Sequence, residues 1–309
     1  MRVLDTKENI DNRSVVTIGV FDGVHTGHQK LLSQLSGLSE DNTSRVVVTF
    51  DKHPLTVIAP ERAPKMLTSL KRKLELLEET NFVDAVVVID FNPIRAAQSA
   101  EDFVKEVLVE RLNAKKVLIG ENFVFGHERR GNFELLKELG KQHDFEVESI
   151  ELLSATEEFK ASSTLVRQYI SVGDVEKAKK ILGRSHEITG VVEGGDKVGT
   201  DLGYPTANTH VADEIAVPSD GVYSGRVRLD DGSTYKSAIS IGVRPMFHED
   251  NIRVIEPHLL GFNGDIYSRE ITIEFEEKLR DQQVFDTVDE LVAQIDKDVA
   301  YVEKSVVIN

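Results

Sequence analysis

The chain of 309 residues contains no cysteine, which excludes disulfides, thiolate metal sites and thiol nucleophiles. No apolar run approaches the ~18 residues needed to span a membrane. The opening residues, MRVLDTKENIDNR, contain no apolar stretch of the secretory-signal kind. A cytoplasmic protein with no membrane segment is therefore expected. Positive charge is also scarce: 37 Lys and Arg face 53 Asp and Glu, a formal net charge of −16. That balance argues against nucleic acid as the main partner, because phosphate-backbone binding needs a basic footprint. Anionic small substrates remain open if local groups overcome the general field.

The charge deficit is uneven. Residues 185–309 hold 11 Lys and Arg against 24 Asp and Glu, a net of −13, which leaves −3 for residues 1–184. With a length suited to two domains, the shift predicts a boundary near Arg184–His186, giving domains 1–184 and 185–309. In the first, apolar β-type runs (Val15–Phe21, Val46–Phe50, Ala85–Ile89, Lys116–Ile119, Phe145–Ile150) alternate with helical patterns at Leu70–Glu79, Glu101–Leu112 and Phe133–His143. Ser99 with Asp102 three residues on resembles a capping box for the second helix. Continuous apolar strands alternating with helices predict an α/β domain with a parallel sheet covered on both faces. Two short helices, Thr164–Ile170 and Val175–Leu182, follow. Beyond Ile188 short β-type runs separated by Gly, Asp and Pro predict a small antiparallel barrel or sandwich, closed by a helix at Val288–Val302.

In an open parallel sheet, ligands bind beyond the carboxyl ends of the strands. The unusual residues gather there: FDGVHTGH after the first strand, Phe50-Asp51-Lys52-His53-Pro54 after the second, GENFVFG (Gly120–Gly126) after the fourth, and SSTLVR (Ser162–Arg167) after the fifth. Gly23 and Gly27 permit a tight turn and close backbone approach to a ligand. The helix that starts there directs unpaired N–H groups at the rim, a place for phosphate. His25 and His28, at i and i+3, share one face of its first turn. Metal ligation and ordinary turn polarity are the competing readings of such a pair. The glycines, the strand–helix junction and the S-S-T-x-x-R segment favour phosphate chemistry, with both imidazoles donating to developing charge. Neither a Walker A sequence nor G-x-G-x-x-G occurs, which argues against P-loop kinases and dinucleotide oxidoreductases.

The C-terminal half carries GTDLGYPTAN (Gly199–Asn208). Thr206 and Asn208 alternate along an extended segment, so a hydroxyl and an amide face one way. Oxygen donors without a carboxylate cage suit Mg²⁺ shared with nucleotide phosphates. A structural turn is the competing reading. For Glu256, a lone carboxylate in a strand, it is a solvated face residue.

Together, F-D-G-V-H-T-G-H, T-F-D-K-H-P, G-E-N-F-V-F-G and S-S-T-L-V-R resemble the adenylyltransferase half of the prokaryotic bifunctional riboflavin kinase/FAD synthetase family. G-Y-P-T-A-N, D-G-V-Y (Asp220–Tyr223), I-G-V-R-P (Ile241–Pro245) and I-E-P-H-L-L (Ile255–Leu260) resemble its kinase half. The resemblance implies a Rossmann-like nucleotidyltransferase domain followed by a β-barrel kinase domain. It implies riboflavin, FMN and ATP as substrates and Mg²⁺ as cofactor. On it, His25, His28 and Glu256 are catalytic, and Gly19, Phe21, Asp22, Gly23, Gly27, Ser163, Thr164 and Arg167 bind ATP and phosphate. Phe50, His53, Pro54, Asn122 and Phe125 contact flavin or adenine. Gly195, Asp196, Gly199, Gly203, Pro205 and Arg244 form the kinase nucleotide and flavin loop, and Thr206 and Asn208 hold the metal. Ser240, Met246 and Pro257 depart from the usual family residues. They leave open an adenylyltransferase with a weakened kinase half. A nucleotidyltransferase acting on another acceptor is a second alternative, and a flavin-binding regulatory module without turnover a third, against which the retention of His25, His28 and Glu256 counts. Pro257 is expected at a strand edge or bulge.

Overall fold

The computed structural model describes residues 1–5, 8–150, 161–194, 199, 202–243 and 253–308. By its contacts the chain divides into two compact units, Met1–Ser163 and Thr164–Asn309.

The first unit is built on six parallel strands: β1 (Arg2–Leu4), β2 (Ser14–Ile18), β3 (Ser44–Phe50), β4 (Ala85–Ile89), β5 (Ala114–Gly120) and β6 (Glu146–Ile150), in the order β1-β4-β3-β2-β5-β6. The continuous apolar runs arise because both faces are covered. Val15, Val47, Val86 and Leu118 pack on one side with Leu31, Leu32 and Leu35 of α1 (Thr26–Gly37). Leu76 and Leu77 belong to the same layer. They lie in α3 (Leu70–Glu79), which follows the single turn α2 (Leu55–Ile58). Val16, Val46, Val48, Val87, Val117 and Ile119 pack on the other side with Phe103, Val107 and Leu108.

Those last residues lie where α5 (Ala100–Phe103), after the short α4 (Pro93–Ala96), runs on as π-helix over Val104–Arg111. Ser99 Oγ accepts from the Asp102 amide at 3.0 Å, as a capping residue should. Leu136 and Leu139 of α6 (Phe133–His143) complete that layer. From β2 the chain steps outward to β3 and β4, then returns to the other side of β2 as β5. The topological switch point therefore lies between β2 and β5, and the segments that follow these two strands flank the crevice.

Helix α7 (Ser163–Ser171) begins at the last residue of the first unit; in the second unit the rest of it and α8 (Val175–Leu182) precede a closed antiparallel barrel. Its strands are β7 (His186–Glu193), β8 (Asn208–His210), β9 (Gly221–Leu229), β10 (Thr234–Val243), β11 (Arg253–Leu259) and β12 (Glu270–Arg280), in the order β10-β11-β8-β7-β12-β9. Alternation along each strand fills the interior: Ile239 and Ile241, Ile255, Pro257 and Leu259, Ile271, Ile273 and Phe275 are buried. The α8 ammonium of Lys179 pairs with Glu276 of β12, and Ser185 Oγ donates to the same carboxylate at 2.9 Å. Helix α9 (Val288–Ser305), capped by Thr287 Oγ1 to the Glu290 amide at 3.2 Å, closes the chain.

Pro257 sits in a closed barrel and not at an edge. Its carbonyl accepts from the Ala207 amide at 2.9 Å, so its nitrogen faces the same neighbour. The Ala207 carbonyl, which a proline cannot serve, takes the Thr209 hydroxyl at 3.0 Å instead. The proline is tolerated because its missing donor is replaced locally.

Candidate active sites

The turn after β2 is forced into an unusual path. Phe21, Gly23 and Val24 have φ of 51°, 78° and 38°, and Phe21, Asp22, Val24 and His25 are all buried. Left-handed non-glycine residues are costly and persist where surroundings hold them. Here Asp22 supplies part of the hold: its carboxylate accepts from the Leu67 amide at 2.9 and 3.1 Å and from the Thr68 amide at 3.3 Å. Ser163 Oγ donates to the Asp22 carbonyl at 2.9 Å, fixing the first residue of α7 to this turn. Gly27 lies so close to His25 and Ala161 that an added Cβ would sit 3.2 Å from the imidazole and 3.3 Å from the alanine methyl.

His25 caps α1, its Nδ1 accepting from the His28 amide at 3.4 Å. An accepting Nδ1 places the ring proton on Nε2. The two imidazoles stack, with centroids 3.6 Å apart and planes at 18°, and Phe21 lies 5.0 Å from His28. His28 Nδ1 is buried with no hydrogen-bond partner among the described residues. Burial first, then His25 and the Lys73 ammonium, hold the His28 imidazolium well below the ordinary histidine range. A neutral imidazole with open hydrogen-bonding capacity thus waits at a helix N-terminus, where incoming anionic charge raises its basicity.

The other expected residues make contacts of their own. The Phe50 ring, at the end of β3, meets Phe91 edge-on at 5.5 Å. His53 Nδ1 accepts from the Leu55 amide at 3.2 Å, and Pro54 starts the single turn α2. Asn122 is exposed in the turn after β5, whereas the Phe125 ring packs against Phe103 and Phe123 and anchors that loop. An added Cβ at Gly19 would sit 3.1 Å from the Phe21 ring. Thr164 and Arg167 follow Ser163 on α7 within the second unit.

The reading of motifs missed Lys73, which is 1% exposed on α3. Its Nζ donates to the Phe50 carbonyl at 2.7 Å, and to the Val20 carbonyl and Thr49 Oγ1 at 3.2 Å each. Burial pushes its pKa down to about 8, opposed by Asp22 and Asp51. The available signal was a lysine on the stripe defined by Leu76 and Leu77, where an apolar residue belongs.

In the barrel, register places Glu256 across from Ser240 and Pro257 across from Ile239. With Ile255, Pro257 and Leu259 inward, Glu256 lies on the outer side of β11. The backbone on either side of Thr206 is tied to the same strand: the Pro205 carbonyl to His258 Nδ1 at 2.8 Å, the Ala207 amide to the Pro257 carbonyl at 2.9 Å. Ala207 and Thr209 are buried, so Thr206 and Asn208 take the outer side beside Glu256. Asn208 Nδ2 donates to the Gly194 carbonyl at 3.2 Å. Gly199 comes so near that an added Cβ would stand 2.4 Å from the Tyr204 carbonyl oxygen and 3.4 Å from Thr206 Oγ1. Gly203, with φ of 87°, makes the turn between them. The Ser240 hydroxyl accepts from Gln282 Nε2 at 3.0 Å. Gly195, Asp196, Arg244 and Met246 lie outside the described residues. No group of three His, Asp or Glu side chains among the described residues could hold a metal ion.

A parallel α/β sheet with an imidazole pair at its switch point, joined to a six-stranded barrel presenting Asn208 of β8 and Glu256 of β11 on adjacent strands with Thr206 just before β8, defines a two-site protein of the nucleotidyltransferase–flavokinase class. Residues 7–165 match the family described as FAD synthetase and residues 182–306 the family described as riboflavin kinase. The chain belongs to the bifunctional riboflavin kinase/FMN adenylyltransferase family. Relatives of that description include one from Buchnera aphidicola, 36% identical, with 98% of this chain and 97% of the relative covered. Another is from Pseudomonas fluorescens, 37% identical, covering 93% and 91%. A third, from Escherichia coli K12, is 36% identical and covers 92% and 90%. A solved structure from Streptococcus pneumoniae, described as a macrolide-efflux protein, matches with a TM-score of 0.86 at 29% identity, covering 97% of both chains. Among the described residues of the present chain no helix is long and apolar enough to cross a membrane.

Proposed function

We propose that the chain phosphorylates riboflavin with ATP to give FMN, then adenylylates FMN with a second ATP to give FAD and pyrophosphate. Residues 185–309 carry the first reaction and residues 1–184 the second, in the cytoplasm. One observation carries this reading: two stacked imidazoles at the N-terminus of α1, His28 held neutral by burial, in a chain aligned over nearly its full length with relatives named for both reactions.

In the kinase reaction the ribityl 5′-hydroxyl oxygen attacks the γ-phosphorus, the bond to the β–γ bridging oxygen breaks, and ADP leaves. Glu256 takes the hydroxyl proton as the new bond forms. Thr206 and Asn208 would hold Mg²⁺; a hydroxyl and an amide without a cage of carboxylates fit a cation that shares its coordination with phosphates. The ion supplies charge neutralisation at the transferring phosphoryl group. Gly195, Asp196, Gly199, Gly203, Pro205 and Arg244 shape the loop over nucleotide and flavin.

In the adenylyl transfer an FMN phosphate oxygen attacks the α-phosphorus and the bond to the α–β bridging oxygen breaks. His25 and His28 donate to the phosphate oxygens as charge builds. The backbone at Gly19, Phe21, Gly23 and Gly27, with Ser163, cradles the triphosphate, and Thr164 and Arg167 bind phosphate as the family resemblance implies. Asp22 serves that cradle from beneath, through its bonds to Leu67 and Thr68. Phe50, His53, Pro54, Asn122 and Phe125 shape the flavin and adenine pockets. Isotope position tests the order of events. With riboflavin supplied, label from the γ-phosphate of ATP should appear in FMN and be carried into FAD, and α-label in FAD alone. Turnover that places α-label in FMN, or none in FAD, would overturn the assignment.

A further inference from the structure

We infer that Lys73 is a positioning residue of the adenylyl-transfer site, clamping the ends of β2 and β3 and so fixing the turn that presents His25 and His28. The inference rests on the adenylyl-transfer reading above.

The ammonium has three protons and three oxygens to receive them: the Val20 and Phe50 carbonyls and Thr49 Oγ1. Thr49 Oγ1 in turn donates to the Val20 carbonyl at 3.0 Å, closing a ring of bonds between the two strand ends. Both carbonyls stand at the start of a site segment. Val20 precedes Phe21, the first left-handed residue of the turn, and Phe50 precedes Asp51, Lys52 and His53. The helix that carries Lys73 is bound to the same turn from its other end, because Asp22 holds the Leu67 and Thr68 amides just before α3. Lys73 therefore closes a loop of contacts running from α3 through the β2 turn to β3 and back. Its charge faces Asp22 from the β2 turn, Asp51 from the segment after β3, and His28 from α1.

A purely packing role would be served by any apolar side chain, since Lys73 is buried on the same stripe of α3 as Leu76 and Leu77. A buried cation satisfied three ways is an expensive way to fill space, and what it does uniquely is fix the two carbonyls.

Lys73→Met keeps the stem and removes the clamp; Lys73→Gln keeps two donors without charge. Both are assayed as full chains, with FMN formation from riboflavin as the internal control. Lys73→Met should lower kcat for FAD formation from supplied FMN by about tenfold to a hundredfold, since misplacement from outside the reacting centre has that effect. KM for ATP should change much less than kcat, because the phosphate-binding helix terminus is retained, and FMN formation should be unchanged. Lys73→Gln should fall between. In the parent protein kcat/KM for ATP should decline as pH rises through the Lys73 transition, and Lys73→Met should lack that limb. A folded Lys73→Met protein with parental kcat and the same alkaline limb overturns the inference. Absence of FAD formation in the parent itself overturns the adenylyl-transfer reading instead. If neither variant folds, the parent decides: NMR of the His28 ring should show a second perturbation tracking Lys73 deprotonation, and an undisturbed ring across that transition also overturns it.

Discussion

Replacing Lys73 with methionine should change how stability depends on pH, and the size of the change follows from burial. In the unfolded chain the ammonium titrates near 10.5, whereas burial brings it down to about 8 in the native protein. Below pH 8 both states hold the proton, and the native state bears the desolvation of a buried cation. Between about 8 and 10.5 the unfolded chain keeps the proton that the native protein has released. Stability linked to Lys73 therefore rises with pH across that window. At ~1.36 kcal/mol per pH unit, the displacement is worth about 3 kcal/mol in full.

The two units can be watched separately. All six tyrosines (Tyr169, Tyr204, Tyr223, Tyr235, Tyr267 and Tyr301) follow residue 163, and the chain lacks tryptophan. Tyrosine fluorescence thus reports the second unit, while far-ultraviolet circular dichroism also reports the helices of the first. Urea unfolding at pH 7.5, 8.5 and 9.5, below the ionisation of tyrosine near 10, parent minus Lys73→Met, removes the titration of other groups. The difference should grow in favour of the parent by part of the full value across the series, in the transition that tyrosine fluorescence does not report. A flat difference, or one carried by the tyrosine signal, would refute the burial argument.

His28→Ala should leave FMN formation intact and reduce FAD formation by ~10²–10³, the usual loss when a donor to developing charge is removed; parental FAD formation in the folded variant would refute the role. On binding ATP, the His28 imidazole should titrate at higher pH than in the free protein, where burial, His25 and Lys73 depress it, and a histidine NMR titration with and without nucleotide checks the sign. Glu256→Gln should lower kinase turnover by ~10²–10⁴ with saturating Mg²⁺ while FAD formation from supplied FMN is unchanged; retention of more than about a third of the turnover, with chemistry limiting, would return Glu256 to a solvated face residue. A fragment of residues 164–309 should be more stable than one of 185–309, because the shorter fragment loses α8, whose Ala178, Ile181 and Leu182 are buried and whose Lys179 pairs with Glu276. Equal urea midpoints would count against that packing role.

Strands β2 to β5 are readable in the sequence because burial gives each a continuous apolar stretch, whereas the edge strand β6 is mostly exposed; a parallel sheet follows from the helices between them. β1 and β8 are not, since three residues carry no periodicity and only pairing with β4, β7 and β11 defines them. The expected first strand ran to Phe21, but pairing ends at Ile18 because Phe21 turns left-handed. The histidine pair was visible as spacing, yet its stacking and the buried Nδ1 of His28 depend on a turn held from elsewhere in the chain. Asp22 shows the same limit. Its motif position marked it for the nucleotide site, while its hydrogen bonds run to Leu67 and Thr68, 45 and 46 residues away. Pro257 was expected at a strand edge or bulge; the Thr209 hydroxyl that takes the Ala207 carbonyl instead is not deducible from spacing. Lys73 was legible only as a misplaced charge, because the oxygens that receive it come from three other positions.

The central claim is that one chain performs both transfers, each in its own unit. Incubating the purified protein with riboflavin, ATP and Mg²⁺, and separating the flavins by chromatography over time, tests it most directly. FMN should appear first, and FAD should follow with pyrophosphate released in equal amount. Riboflavin that remains unconverted in the presence of folded protein, or FMN that accumulates without FAD even when supplied directly with fresh ATP, would contradict the account.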